Sequence, residues 1–127
     1  MDKFLALGRW LFALPFAIFG LLHFMNAQAM ARLVPSFVPG GIAWIYFTGI
    51  VLIAASVSLV LGKLDKLGAS LLALFLIVVV LLLHVPGAMA GGTEGQLAMT
   101  NILKDMSLAG GAMMYALHYA QDKSYMP

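Results

Sequence analysis

Cysteine is absent from this sequence, and charged residues are scarce. Lys, Arg, Asp and Glu together make up 9% of the chain, whereas a soluble globular domain carries roughly 25% because its surface must face water. The missing cysteines exclude disulfides, Cys-based zinc sites, thiolate-ligated iron–sulfur clusters and Cys-x-x-Cys redox chemistry. A membrane enzyme that passes electrons from thiols to quinone would need such cysteines, so that class is excluded as well.

What the sequence does contain is mostly apolar. Hydrophobic residues make up 63% of 127 residues, and the mean hydropathy is +1.01. This composition indicates lipid as the solvent, and the length suits one transmembrane domain over residues 1–127. The net charge of +2 is too small and too dispersed for a nucleic-acid reader. We therefore expect the bilayer as partner, with a homo-oligomer or a larger membrane complex as further assembly, and no nucleic acid.

Four segments of the sequence are predicted to form transmembrane helices. About 20 apolar residues cross the hydrocarbon core of a bilayer, and the candidates lie at about residues 4–25, 42–61, 67–85 and 102–120. The fourth is the least apolar, because it carries Lys104 and Asp105, and we expect it to insert as a hairpin with the third. The predicted fold is an all-α membrane protein, a four-transmembrane-helix bundle, with two tandem helical hairpins as one way of organising it.

Basic residues predict the orientation of these helices. Four spans place both termini and the turn at 62–66 on one side, which carries Lys3, Arg9, Lys63, Lys66 and Lys123. The opposite side carries only Arg32 and Lys104. Because an excess of Lys and Arg marks the cytoplasmic side, the sequence predicts a multi-pass protein of a bacterial inner membrane, with its N- and C-termini in the cytoplasm.

Polar residues are expected to converge near the outer face. The tripeptide Leu-Leu-His occurs twice, ending at His23 and at His84, on predicted helices that run in the same direction. The fourth helix begins at that depth with Lys104 and Asp105, and Asn26 lies just above. Ionisable groups inside a membrane are costly and mark candidate sites. We therefore expect His23, His84 and Asp105 as catalytic groups and His23, Asn26, His84 and Lys104 as cofactor-binding groups.

Each of these residues also has a structural interpretation. Asp105 complements the dipole of a helix N-terminus, Lys104 can extend to the headgroups, and a single histidine often bonds a backbone carbonyl. At the inner face, we assign four residues to interfacial roles outside any site, with Arg9 extending to the headgroups and the others forming an aromatic belt: Arg9, Tyr115, His118 and Tyr119.

Several short motifs extend over nearly the whole chain: Gly8-Arg9, Gly20-Leu21-Leu22-His23, Val34-Pro35, Pro39-Gly40-Gly41, Tyr46-Phe47-Thr48-Gly49 and the closing segment 101–112. Together they resemble the DoxX family of small bacterial membrane proteins. The resemblance implies a four-helix membrane bundle, and a redox association, because the namesake is associated with a thiosulfate:quinone oxidoreductase and terminal oxidase. Many members carry a Glu shortly after the Gly of the second helix. Here Gly49 is followed by Ile50, Val51 and Leu52, which weakens the transfer of a redox function.

Two classes of function stay open, and with them the question of whether the protein is an enzyme. In the first, a redox-associated subunit binds quinone near the outer face, where His23 or His84 bonds a quinone carbonyl and Asp105 relays a proton. Haem between the two histidines and Cu(I) on outer methionines are variants of this class, and no dedicated metal site is predicted. In the second, the protein is a non-catalytic scaffold or partner-docking subunit. An apolar cavity shared by His23, His84 and Asp105 would favour the first class, and we expect that arrangement.

Overall fold

The computed structural model describes residues 1–126, which are helical with no β-strand in that range. Two π-helical turns, Val80–His84 and Tyr115–Tyr119, directly follow the fifth and seventh α-helices. The seven α-helices are α1 (Asp2–Leu5), α2 (Gly8–Met25), α3 (Ala27–Ala31), α4 (Ile42–Leu61), α5 (Asp65–Val79), α6 (Val85–Met89) and α7 (Gly92–Met114).

Three stretches are long and apolar enough to cross a membrane: Asp2–Met25, Ile42–Leu61 and Asp65–Met89. At about 1.5 Å per residue, the shortest of them is about 30 Å long, which matches the hydrocarbon thickness of a bilayer. The second stretch has the predicted bounds. It starts after Gly41 and stops at Gly62, which adopts a left-handed conformation with φ +68°. Helix α7 is long enough as well, but its first part is rich in polar residues and glycine.

The connection expected as a loop from Pro86 to Asn101 is instead almost entirely helical. Helix α7 begins at Gly92, about ten residues before the predicted start near 102, and the third stretch runs to Met89 rather than ending near 85. The prediction was wrong because the glycines here serve close packing as well as the turn. A Cβ on Gly87 would lie 3.1 Å from Ala98 Cβ, and one on Gly95 would lie 3.2 Å from the Ala88 carbonyl oxygen. Small residues therefore bring α6 and the start of α7 together.

The long helices pack as two antiparallel pairs, α2 with α4 and α5 with α7, and α4 contacts α5. The first pair meets at two glycines. A Cβ on Gly20 would lie 2.8 Å from the Gly49 carbonyl oxygen, and one on Gly49 would lie 3.0 Å from that of Gly20. Further along the same contact, Ser56 Oγ donates a 2.8 Å hydrogen bond to the Ala13 carbonyl. The α2–α4 pair is therefore held by close backbone approach.

Large apolar side chains cover the outside of the molecule, while alanines and leucines fill its centre. The buried core includes Leu52, Leu59, Leu72 and Leu76. Many large apolar side chains are more than half exposed: Phe4, Leu11, Ile18, Ile50, Leu71, Leu81, Leu103 and Leu117. A soluble monomer rarely exposes apolar surface on this scale. This distribution fits helices that face lipid.

Candidate functional site

The first polar cluster joins His84 to α7. His84 Nε2 lies 3.1 Å from Asp105 Oδ2, and Asp105 is buried. The ammonium of Lys104 lies 3.7 Å from Asp105 Oδ1 and donates to Asn101 Oδ1 over 3.4 Å. Because an ionised carboxylate can only accept, His84 Nε2 carries the proton in this contact when Asp105 is charged. The structure thus brings His84, Lys104 and Asp105 together, as the sequence predicted.

His84 is the last residue of the π-helical turn that follows α5. The turn ends immediately before α6, which has Pro86 in its first turn. Pro86 lacks the N–H that would bond the carbonyl of Leu82 in a continuous α-helix. The extra residue in a π-turn shifts the helix phase for all that follows. This local irregularity precedes the part of the chain that packs on α7 and presents His84 to Asp105.

His23 is buried but bonds to its own helix. Its Nδ1 donates to the Phe19 carbonyl over 2.8 Å, so Nε2 is the nitrogen left without a proton in the neutral ring. The imidazole also packs edge-on against the Phe19 ring, with centroids 4.9 Å apart. The centre of the Phe19 ring also lies 6.0 Å from the ammonium of Lys104. The Phe19 ring therefore lies close to both His23 and Lys104.

Asn26 does not join the cluster. Its Nδ2 donates to the Leu22 carbonyl over 3.1 Å on the exposed surface. Asn26 also lines a groove of about 450 Å³ where α2 ends and α3 begins, together with residues from 24 to 29 and Tyr46. Its expected role beside the histidines is therefore not reflected in a shared contact.

The cluster lies toward one end of the long helices. The helical stretch from Asp65 to His84 is about 28 Å long at about 1.5 Å per residue, close to the thickness of the hydrocarbon core. Neither of the two grooves described within residues 1–126 is lined by His23, His84 or Asp105. Neither groove is the apolar cavity that we expected His23, His84 and Asp105 to share. Instead, His84 and Asp105 bond each other, and His23 bonds a backbone carbonyl. Within the same residues, no group of three His, Asp or Glu side chains could hold a metal ion.

A second polar cluster, which the sequence did not predict, lies at the opposite end of the helices. Asp65, the first residue of α5, has no exposed surface. Its carboxylate accepts hydrogen bonds from Tyr115 Oη at 2.8 Å, from the Gln121 amide at 3.0 Å and from the Asp122 amide at 2.7 Å. The assignment of Tyr115 to an interfacial aromatic belt was therefore wrong. This residue is buried and bonds a carboxylate.

The segment after α7 is joined to the α4–α5 turn by a reciprocal pair of aspartates. While Asp65 accepts from amides of that segment, Asp122 Oδ2 accepts from the Leu64 amide over 2.7 Å. Asp122 Oδ1 also accepts from the Ser124 amide and hydroxyl, and these bonds hold the pKa of the Asp122 carboxyl below its usual range. The two carboxylates together fix residues 121–124 against the turn.

Arg9 completes this second polar cluster. Its Nε donates to the Leu59 carbonyl over 2.9 Å, and Tyr115 Oη lies 3.4 Å from the same oxygen. That carbonyl belongs to the last turn of α4, where helix carbonyls lack intrahelical partners and the helix dipole favours a cation. The guanidinium also lies 5.8 Å from the centre of the Tyr119 ring, a cation–π contact. Arg9 is thus part of the helix packing rather than only an interfacial charge.

A groove of about 330 Å³ runs between α2 and the end of α7 beside this cluster. Arg9 Nη2 is buried and has no hydrogen-bond partner within residues 1–126. The groove is lined by Leu5, Gly8, Arg9, Phe12, Gly111, Met114, Tyr115, His118 and Tyr119.

A signal for this second cluster was present in the sequence, since Arg9 and Asp65 are ionisable residues flanking apolar spans. Their connection through Tyr115 depends on residues far apart in the chain.

One comparison with known proteins gives a match. A family model described as a domain of unknown function, DUF8561, matches residues 12–109. The matched range includes His23, His84, Asp105 and Asp65, and Arg9 lies just outside it. No curated protein and no solved structure matches the chain.

Proposed function

The chain belongs to the DUF8561 family, and we propose that it is a non-catalytic integral subunit of the bacterial inner membrane. In this proposal its polar clusters fix how the helices pack, and its surface docks a second copy or a partner membrane protein. The observation that carries the proposal is the contact of 3.1 Å between His84 Nε2 and Asp105 Oδ2. Within residues 1–126, the Asp105 carboxylate is therefore paired with both His84 and Lys104.

A four-span topology is part of the proposal. The three apolar stretches supply three spans, and the fourth is the part of α7 from about Ile102 with its π-helical turn, about 27 Å long at about 1.5 Å per residue. Its two charges would be expensive alone in lipid. Lys104 and Asp105 instead contact each other, and Asp105 contacts His84 on the preceding span. This pairing supports insertion of the third and fourth spans as a hairpin.

The arrangement of Asp105 favours a structural role. A buried charge that loses its partner destabilises a protein far more than the intact pair stabilises it. The pair therefore penalises any register of α7 that separates Asp105 from His84. Such a use of polar groups, as a device that selects one packing, is well documented in coiled coils.

A second candidate is quinone binding near the outer face, with the DoxX relationship as part of that hypothesis. The observation that favours it is that His84 Nδ1 and His23 Nε2 make no hydrogen bond within residues 1–126. Imidazole exchanges protons in the physiological pH range, and a carboxylate beside it can accept one. Nδ1 of His84 could donate to a quinone carbonyl when the imidazole is protonated on both nitrogens, and Asp105 could accept the proton that quinol oxidation releases.

Native mass spectrometry of the protein, gently extracted from its own membranes, distinguishes the two candidates. The matched variant is His23→Ala/His84→Ala. We expect lipid only, or a second polypeptide retained equally by parent and variant. A quinone, haem or copper mass that is present in the parent and lost in the variant would contradict the scaffold proposal and support a cofactor site.

A further inference from the structure

We propose that the groove between α2 and the end of α7 binds an acidic phospholipid, with Arg9 as the contact for its headgroup phosphate. This proposal rests on the membrane topology proposed above but not on the role of the His84–Asp105 pair, because it uses neither residue. It concerns the opposite end of the helices, where the groove of about 330 Å³ lies beside the second polar cluster.

The guanidinium of Arg9 has donors that the protein leaves unused. Of its nitrogens only Nε has an acceptor within residues 1–126, the Leu59 carbonyl, and Nη2 is buried without one. No carboxylate in that range forms an ion pair with Arg9, since Asp65 is occupied by Tyr115 and two backbone amides. A buried cationic donor without an acceptor is costly. The Arg9 side chain also forms part of the groove wall, so an anionic headgroup that entered the groove would lie beside a guanidinium that has no carboxylate partner in that range.

The walls of the groove suit an acyl chain rather than a free ion. Gly8 and Phe12 come from α2, and Met114 and the Tyr119 ring come from the end of α7. These helices each pack mainly on another partner, α2 on α4 and α7 on α5. The space between them is therefore an apolar slot with a charged group, a combination that fits an amphiphile.

The charge of this end of the molecule matches the same ligand. Lys63 and Lys66 lie in and just after the α4–α5 turn, Lys3 is in α1, and Lys123 follows the segment bound by Asp65. Clusters of basic residues at the cytoplasmic ends of spanning helices attract acidic lipids, and basic pockets between helices bind their headgroups. A phosphate can accept two parallel N–H bonds from one guanidinium. Arg9 therefore supplies the specific contact at an end of the molecule where four lysines and Arg9 outnumber Asp2, Asp65 and Asp122.

The test is native mass spectrometry of the purified full chain titrated with phosphatidylglycerol or with phosphatidylcholine. We expect the parent to bind one phosphatidylglycerol at least tenfold more tightly than phosphatidylcholine, and Arg9→Gln to lose that preference. Lys63→Gln removes a basic charge from the same side without touching the groove, and it should retain the preference. Equal binding of the two lipids by the parent, or an unchanged preference in Arg9→Gln, would overturn the proposal.

A second variant keeps the test valid if Arg9→Gln fails to fold. A Cβ on Gly8 meets no atom within 4 Å, so Gly8→Leu should fold and place its side chain in the groove. Gly110 has similar free space but does not line the groove, and Gly110→Leu is the matched control. We expect Gly8→Leu alone to weaken phosphatidylglycerol binding at least tenfold. Full binding by Gly8→Leu, or displacement of the lipid by millimolar inorganic phosphate, would overturn the proposal, the latter in favour of a free-anion site.

Discussion

Tyr115 Oη donates a hydrogen bond to Asp65 Oδ2 over 2.8 Å, and this bond connects the end of α7 to the beginning of α5. The carboxylate that accepts it has no exposed surface. Two further amide donors come from the segment after α7. The relationship explains how the less apolar last helix is held in place at its C-terminal end, while His84 and Asp105 hold it near its middle.

Replacing Tyr115 by Phe removes a donor from this buried carboxylate and leaves the ring in place. We expect Tyr115→Phe to lower the free energy of unfolding by about 1–3 kcal/mol, the usual cost of an unsatisfied buried polar group. Thermal unfolding in detergent measures it. Tyr119→Phe is the control, because Tyr119 is 49% exposed and should change stability by less than about 0.5 kcal/mol. Equal stability of the two variants would contradict this account.

Acidification should release the segment after α7. The hydrogen bonds that Asp122 accepts from Ser124 and Leu64 hold the pKa of its carboxyl below the ordinary value. A lowered pKa in the folded state means that the bonds stabilise the fold above the unfolded-state pKa of about 3.9 and are lost as the pH falls through the lower, folded-state value. We expect the protection of amides in residues 121–126 against hydrogen exchange, measured relative to the intrinsic rate at each pH, to fall below about pH 4. In Asp122→Asn, this protection should already be low at neutral pH and should respond less to acid.

The contact between α2 and α4 should tolerate no side chain at Gly20. A Cβ there would lie 2.7 Å from Ile53 Cγ1 and 2.8 Å from the Gly49 carbonyl oxygen, and overpacking of this kind costs about 1–3 kcal/mol. We expect Gly20→Ala to destabilise the protein by that amount in thermal unfolding. Gly110→Ala, where the Cβ meets open space, should be neutral or stabilising by up to about 1 kcal/mol. Similar losses in the two variants would contradict the packing described.

The absence of cysteine makes the topology directly testable. Glu94 is exposed in the first turn of α7, and Ser124 is exposed after its end. If α7 spans the membrane, a membrane-impermeant maleimide added to intact spheroplasts should label Glu94→Cys. Ser124→Cys should be labelled only after the membrane is permeabilised. Labelling of both positions from the same side would contradict a fourth span.

The sequence was sufficient to place α4 and the cluster of His84, Lys104 and Asp105. Ile42–Leu61 is an uninterrupted apolar stretch between Gly41 and Gly62, so its limits follow from local signals. We expected His84, Lys104 and Asp105 to lie together because ionisable groups inside a membrane are costly and tend to pair with one another. The bond between His23 and the Phe19 carbonyl could not be separated from a ligand role, since both place a histidine on a buried helix face.

Other features depend on packing between distant parts of the chain. The segment 86–101 was predicted to connect two spans because it is rich in glycine. The sequence alone does not show that these glycines allow α6 and α7 to pack closely. Gly49 and Gly110 are separated by the same number of residues as His23 and His84, but they occupy different environments. Gly49 meets the backbone of Gly20, whereas Gly110 faces open space. Likewise, nothing local to Asp65 indicates that Tyr115 would bond it.

The central claim is that His84 and Asp105 are partners in packing, and a double-mutant cycle of unfolding free energies tests it most directly. His84→Leu leaves the Asp105 carboxylate with only the more distant Lys104 ammonium as a partner, and we expect a loss of up to about 3–5 kcal/mol. Asp105→Leu leaves only the imidazole of His84 without its partner, and we expect a smaller loss. The double variant replaces the pair by apolar residues and should recover stability, with a coupling energy of about 1–3 kcal/mol. Additive losses, with no recovery in the double variant, would contradict the claim.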